Sequence, residues 1–366
     1  MNDRKKAYLQ LAPVALLFVV LCLWAWLKPA GDLSLAERRP LAQMPALSAD
    51  ALLSGDFMTG FERYATDQFP MREPFRRLKS TIQFRLLGQK DVNGIYIAEG
   101  SAAKLEDPVN DAWVRSTSAK LQGVYEQYFA QGGSGVYFAL IPDKSYYLAE
   151  KHGYPGMDYG RLTELLKEST AFAQWIDLTG ALDITDYYAT DSHWRQERIG
   201  EAAQALALAL GADIAQDCRL ELARDDFSGV YAGQSALPLD PEPMYYLTSP
   251  VLEGASVFNY ETGETGGIYD LERLWGRDPY DLYLSGAAAL QIIDNPAQDN
   301  GRELVLFRDS FGSSMAPLLL PGYSRITLVD LRYLPADSLG NYLEFHGQDV
   351  LFLYSPGIMN SSYLLK

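Results

Sequence analysis

The sequence predicts an α/β fold, a parallel sheet flanked by helices and preceded by a transmembrane helix, and three observations carry that reading. "QWIDL" (174–178) is strand-like, and four further short runs are mostly apolar and bounded by Gly, Pro or charged residues: "GVYFALIPDK" (135–144), "ELVLF" (303–307), "RITLVDL" (325–331) and "VLFLYS" (350–355). Strands buried on both faces look like this. Segments of helical period stand between them, and strand–helix alternation builds parallel sheets. Third, Ala7 to Leu27 is a stretch of 21 residues without a charge, long enough as a helix to cross a hydrocarbon layer of roughly 30 Å.

Each element follows in order. Arg4, Lys5 and Lys6 precede the apolar stretch, so the positive-inside rule places the short N-terminus in the cytoplasm and everything after Lys28 outside. "WAWLKPAG" offers no convincing pair of small residues for a signal cleavage site, which favours an uncleaved anchor over residues 1–28. Residues 29–56 are rich in Pro, Ala and charge without periodicity and read as a stalk. From Phe57 to Leu87 apolar residues recur at helical spacing, and the two prolines of "FPMREPF" divide the segment into two helices. "NGIYIAEGSAAKL" from Asn93 reads as a turn, a short strand and a second turn, and helices are expected over about 110–130, 160–172 and 196–210. Residues 219–290 differ in texture, with short strands and loops that read as an insertion within a domain covering 57–366.

Charge and cysteine content narrow the class. The chain has a net charge of −16. Residues 1–28 hold Asp3 against Arg4, Lys5, Lys6 and Lys28, a net of +3, so the exported part carries −16 − 3 = −19. Such a field disfavours nucleic acid as a partner. Only Cys22 and Cys218 are available for a disulfide, and Cys22 lies in the expected span, which excludes a disulfide-stapled scaffold.

Two places carry chemistry. In "LVLFRDSFGSS" a buried strand runs straight into Asp309-Ser310-Phe311-Gly312, and ligand sites in open α/β sheets form at the carboxyl ends of strands. Ser310 is a candidate nucleophile, with a helix from about Phe311 turning free N–H groups toward it. The plain alternative is that Ser310 or Asp309 caps that helix. In "ATDSHWRQ" Asp191 and His193 stand two apart, a spacing that brings both side chains to one cleft only in strand or loop. A serine hydroxyl needs a base, and the base needs an acceptor on its other nitrogen. A metal corner is a competing reading, but His152 and His346 are the only other imidazoles, so carboxylates would have to dominate the ligand set. A buried structural histidine beside Trp194 is another.

"YYATDSHW" (187–194) resembles the "YY-x-TDHHW" signature of the DHHW proteins, SGNH-hydrolase-like relatives of the alginate O-acetylation proteins of the AlgJ and AlgX type. "FERYATDQFPMREPFRRLKS", "VNGIYIAEG", "IPDKSYY" and "VLFRDSFGSSMAPLL" are similar to that family's other landmarks, in the same order. The resemblance implies an SGNH-hydrolase-like sheet, with Ser310 as nucleophile, His193 as general base and Asp191 as its orienter. Asp309, Arg308, Lys144 and Trp194 fall in matched motifs as supporting residues, and Ser285 and Gly286 stand where relatives often carry a "G-G-N" element. Ser192 replaces the first histidine of the signature, Arg195 a threonine, and Arg308 the glycine of the nucleophile motif. If the missing asparagine donates to an oxyanion, its loss costs on the order of 3 kcal/mol in the transition state unless backbone N–H groups compensate.

Two functions follow. One is a membrane-anchored extracytoplasmic serine O-acetyltransferase or acetylesterase acting on an exported or cell-envelope polysaccharide, without a cofactor or metal. The resemblance implies a membrane-bound O-acyltransferase partner that supplies the acetyl group. The other is a catalytically inactive glycan-binding or envelope-assembly protein that keeps the fold, its 24 tyrosines and 6 tryptophans supplying rings for sugar stacking, with "YYLTSP" and "VYAGQ" as contact regions.

Overall fold

The computed structural model describes residues 3–106 and 108–366, with the side chains of the first helix described from Leu11 onward. The chain divides into two compact units, Met1–Val92 with Gly233–Pro238, and Asn93–Ala232 with Leu239–Lys366.

The first unit opens with a helix over Asp3–Leu27 whose apolar side chains, among them Leu16, Leu17, Phe18, Leu23 and Trp26, are exposed. Among the described residues no helix is long and apolar enough to cross a membrane. The expected span starts at Ala7, among side chains that lie outside the described ones. Residues 29–56, expected as a stalk, hold a two-residue ribbon pairing Leu33–Ser34 with Arg39–Pro40 and a short helix over Ala49–Ser54. The polar residues that hid any periodicity there are used in ion pairs: Arg39 grips Asp67 through two bonds of 2.7 and 2.8 Å, and Glu37 receives Arg72 at 2.5 Å and Arg76 at 3.2 Å. Helices cover Asp56–Asp67 and Arg72–Thr81, divided at Pro70 with Pro74 in the first turn of the second, and residues 57–92 cluster with this unit.

The second unit is built on an eight-stranded sheet. In chain order its strands are β1 (Val136–Leu140), β2 (Gln174–Asp177), β3 (Ser256–Asn259), β4 (Glu264–Gly266), β5 (Leu290–Asp294), β6 (Glu303–Arg308), β7 (Arg325–Val329) and β8 (Asp349–Tyr354). In space the order is β4-β3-β5-β7-β6-β8-β1-β2. The five strands from β7 to β2 are parallel, and β5, β3 and β4 extend one edge antiparallel. The region expected as an insertion over the sheet therefore adds strands to it, while Arg219–Phe227 and Glu242–Thr248 form a separate antiparallel pair.

Alternation along the strands makes two apolar layers. Leu304 and Leu306 of β6 pack with Ile326, Leu328, Leu351 and the helices Gly200–Leu210 and Gly312–Leu319. Val305 and Phe307 pack on the other face with Phe138, Val350, Phe352 and the helices Asp111–Val124 and Tyr159–Ser169. β6 sits between β7 and β8, the strands that follow it in sequence on either side. This is a topological switch point, where the carboxyl end of a strand opens into a crevice.

Phe307 is fully buried and stacks on Phe352 with ring centroids 4.7 Å apart. Phe307→Ala is expected to cost about 3–5 kcal/mol, read as a lower urea midpoint with an unchanged slope; a loss below about 1 kcal/mol would contradict this packing.

Candidate active site

The site forms where β6 ends. Asp309 follows the strand and closes the turn that leads into the next helix: its Oδ1 accepts the Phe311 N–H at 3.0 Å and its Oδ2 the Ser355 N–H at 2.8 Å. No side chain caps that helix, so neither Asp309 nor Ser310 serves as its cap, and the Ser310 hydroxyl lies 2.8 Å from His193 Nε2. A methyl group at Gly312 would come within 2.5 Å of Arg308 Cβ, so the turn into the helix requires glycine there.

The second arm is a tight loop. Tyr187 and Trp194 pair as an isolated antiparallel bridge, Tyr188 N–H donates to the His193 carbonyl at 3.1 Å, and Asp191 lies at the bend between them. Asp191 Oδ1 accepts the backbone N–H of His193 at 3.0 Å and faces the same residue's Nδ1 at 2.7 Å. This is an Asx turn whose carboxylate also orients the ring. Residues two apart therefore meet through a bend rather than along a strand. With the proton on Nδ1 toward Asp191, Nε2 is free to accept from Ser310. Exposure rises along the chain of bonds, from none at Asp191 through 8% at His193 to a partly buried Ser310.

Residues not legible in the sequence hold this arrangement. Val230 N–H donates to Asp191 Oδ2 at 2.7 Å, and Gly229 packs so tightly on Asp191 that a methyl there would overlap it. Glu242 accepts the N–H groups of Ala189 and Thr190 at 3.0 and 2.8 Å. The Tyr280 ring stacks on the imidazole with centroids 3.9 Å apart and an interplanar angle of 11°. Gly229 is one of 30 glycines and Tyr280 one of 24 tyrosines, so nothing in the pattern singles either out.

The supporting residues divide. Trp194 is buried and donates Nε1–H to Ser314 Oγ at 2.8 Å, the hydroxyl that also meets Tyr280 OH at 2.7 Å. Arg308, also buried, gives its guanidinium to Gln291 Oε1 at 2.9 Å, and Gln291 in turn donates to the Leu284 carbonyl at 2.6 Å. Ser285 donates to Asp270 at 2.9 Å, within a run of three left-handed residues, Leu284, Ser285 and Gly286, with φ of 57°, 58° and 96°. One expectation is corrected. The N–H groups of Phe311, Gly312 and Ser313 are already bound to Asp309 Oδ1, the Asp309 carbonyl and the Ser310 carbonyl, so this helix start does not turn them free toward an oxyanion. The cause is the tight turn at Asp309 and Ser310. Among the described residues no group of three or more His, Cys, Asp or Glu side chains is placed to hold a metal ion.

Fold and geometry together define an α/β protein with a mixed, mostly parallel sheet and a Ser–His–Asp hydrogen-bonded chain. Among solved structures it resembles a DHHW family protein from Eubacterium siraeum, at 19% identity and a TM-score of 0.59 over 75% of this chain and 97% of that one. It also resembles Bacillus cereus PatB1, with a sulfonyl adduct (17% identity, TM-score 0.58, 74% of this chain and 98% of that one) and without it (18%, 0.56, 74% and 99%). At these identities the likeness is one of fold. By sequence alone no family model and no curated protein matches the chain.

Lys144 lies beneath the loop. Its ammonium donates to the carbonyls of Tyr188 at 2.7 Å, Ala189 at 3.2 Å and Asp191 at 3.1 Å, one acceptor for each proton. Burial pulls its pKa down to about 7, against the opposing carboxylates of Asp191 and Glu242. The unfolded chain holds this proton to about pH 10.4. Between about pH 7 and that value the unfolded state binds more protons than the folded state, so stability rises with pH. Lys144→Met is expected to flatten that rise, which is at most about 1.4 kcal/mol per pH unit. Denaturant midpoints across the window check this, and equal slopes in both proteins would refute it.

Proposed function

We propose that the chain is a membrane-anchored, extracytoplasmic serine O-acetyltransferase or acetylesterase acting on an exported or cell-envelope polysaccharide. The observation that carries the reading is the continuous chain from Asp191 through His193 to Ser310, with bonds of 2.7 and 2.8 Å. The order of motifs that resembles the DHHW proteins supports the acetyl group and the glycan, and the 21 uncharged residues from Ala7 to Leu27 support the anchor.

The chemistry follows from the geometry. Ser310 Oγ attacks the carbonyl carbon of an acetyl donor as its proton passes to His193 Nε2, and the carbonyl π pair moves to oxygen. The tetrahedral intermediate collapses, the bond to the leaving oxygen breaks, and that oxygen takes the proton from Nε2. A sugar hydroxyl then gives its proton to Nε2 and attacks the acetyl-serine, and Ser310 leaves with that proton. Water in place of the sugar makes the same site an esterase. Asp191 keeps Nδ1 protonated throughout and stabilises the imidazolium. A membrane-bound O-acyltransferase partner would supply the acetyl group at the outer face.

Hydrolysis of an aryl acetate ester by the domain from Asn93 to Lys366 together with its N-terminal segment tests the mechanism. Ser310→Ala and His193→Ala are expected to lose at least about a thousandfold in kcat/KM, and Asp191→Asn on the order of ten thousandfold. A sulfonyl fluoride is expected to add to Ser310 alone, seen by peptide mass spectrometry. Equal rates in all four proteins would assign the chain to a binding role instead. For the anchor, the full chain is expected to sediment with membranes after alkaline carbonate washing, and deletion of residues 1–28 to release it; a full chain recovered in the wash would remove that part of the reading.

A further inference from the structure

The contact between Tyr280 and His193 separates one tyrosine from the other rings of the core. Tyr280 stands in the turn Pro279–Leu282, its N–H bound to the Asp278 side chain at 2.9 Å, and is 3% exposed. Against Tyr283 it packs edge to face, at 62° and 4.9 Å, the arrangement that neutral rings prefer. Against His193 it lies almost flat, at 11° and 3.9 Å. Its hydroxyl keeps it there. Ser314 Oγ gives its own proton toward the Phe311 carbonyl at 3.3 Å and receives Trp194 Nε1–H at 2.8 Å, so Tyr280 donates to it at 2.7 Å. Burial holds the phenol well above its ordinary pKa, and it stays a neutral ring.

We propose that Tyr280 is a positioning residue whose ring face stabilises the imidazolium form of His193, an effect that grows as the proton leaves Ser310. The inference rests on the proposed acyl-transfer reading. A neutral imidazole gains only dispersion from the stack, whereas a cation over the ring face is attracted by the ring's quadrupole, most strongly where water is excluded. The contact is therefore stronger when His193 is charged than in the resting state, and interactions of that kind raise kcat rather than lower KM. The other groups around the imidazole are Asp191 on Nδ1, Ser310 on Nε2, the Ser192 hydroxyl 3.5 Å from Nδ1, and Phe311 with centroids 4.9 Å away. Further charges near the pair are Lys144 beside Asp191, and Asp278 and Asp309 near Tyr280. None of these changes when the ring's electron density alone is altered.

The test replaces Tyr280 by phenylalanine and then by phenylalanines carrying one, two and three ring fluorines, which drain the ring face while keeping its shape. The pKa of His193 is read by NMR in each protein, with His152 and His346 as internal references. Tyr280→Phe, which lacks the hydroxyl bond to Ser314, is the reference, and the fluorinated series is expected to lower the value progressively from it, by roughly one unit at the third fluorine. On the acetyl ester kcat is expected to fall about tenfold over the same series with KM unchanged. A flat pKa across the series overturns the inference, and so does a fall in KM-dependent rate alone. The NMR reading needs no turnover: a falling pKa in an inactive protein supports the ring's role while refuting the acyl-transfer reading, so the two failures are distinct.

Discussion

A single carboxylate oxygen carries more of this site than any other atom. Asp191 Oδ1 receives both the backbone N–H of His193 and its ring Nδ1, so the bond that bends the chain is made by the atom that aims the imidazole. Because the ring cannot turn without losing that partner, backbone and side-chain geometry are set together. The burial of Asp191 makes the arrangement demanding, since an ionised group removed from water must find donors for its remaining lone pairs. The Val230 N–H supplies one on Oδ2, and the tight seat of Gly229 brings it there.

The loop that carries Asp191 turns several carbonyls inward, and such a bend cannot pair them as a strand would. Lys144 resolves this. It enters from the helix Lys144–Leu148, which begins directly after β1, and its three donors meet three carbonyls of the loop. On the facing side Glu242 takes the amides of Ala189 and Thr190. Cation and anion, the loop is held by groups that belong to other elements, while Asp309 does the corresponding work for Ser310 by accepting the N–H groups of Phe311 and Ser355.

Four of the five parallel strands were legible because they are buried on both faces, the edge strand β2 being the exception: "VLFLYS" needs apolar residues at successive positions, and β8 keeps them from Val350 to Tyr354. β3 and β4 were not. They lie at the antiparallel edge, are four and three residues long, and β4 is exposed throughout, so no periodicity marks them and the whole region read as an insertion. Asp191, His193 and Ser310 could be named because their residue types in those contexts are chemically unusual, and the distances of 2.7 and 2.8 Å bring together the three that were named. Tyr280, Gly229 and Glu242 were invisible for the opposite reason. Their types are common, and what distinguishes them is a tertiary contact that links positions from 38 to 87 residues apart in the chain.

The departures from the DHHW pattern make physical sense in this geometry. The middle residue of an Asx turn contributes neither the accepting carboxylate nor the returning N–H, so serine serves at position 192 and its hydroxyl merely skirts Asp191 Oδ1 at 3.3 Å. Arg308 has the opposite character. A buried guanidinium in place of glycine demands partners, and it reaches Gln291, which holds the Leu284 carbonyl at the start of three consecutive left-handed residues. Leucine and serine resist that conformation by roughly 1–2 kcal/mol each, so the run persists only because its surroundings over-determine it. Arg308 and Gln291 are two of those surroundings. The residue that breaks the nucleophile motif thus links the strand leading to Ser310 with the strained segment that follows Tyr280, the ring lying on His193.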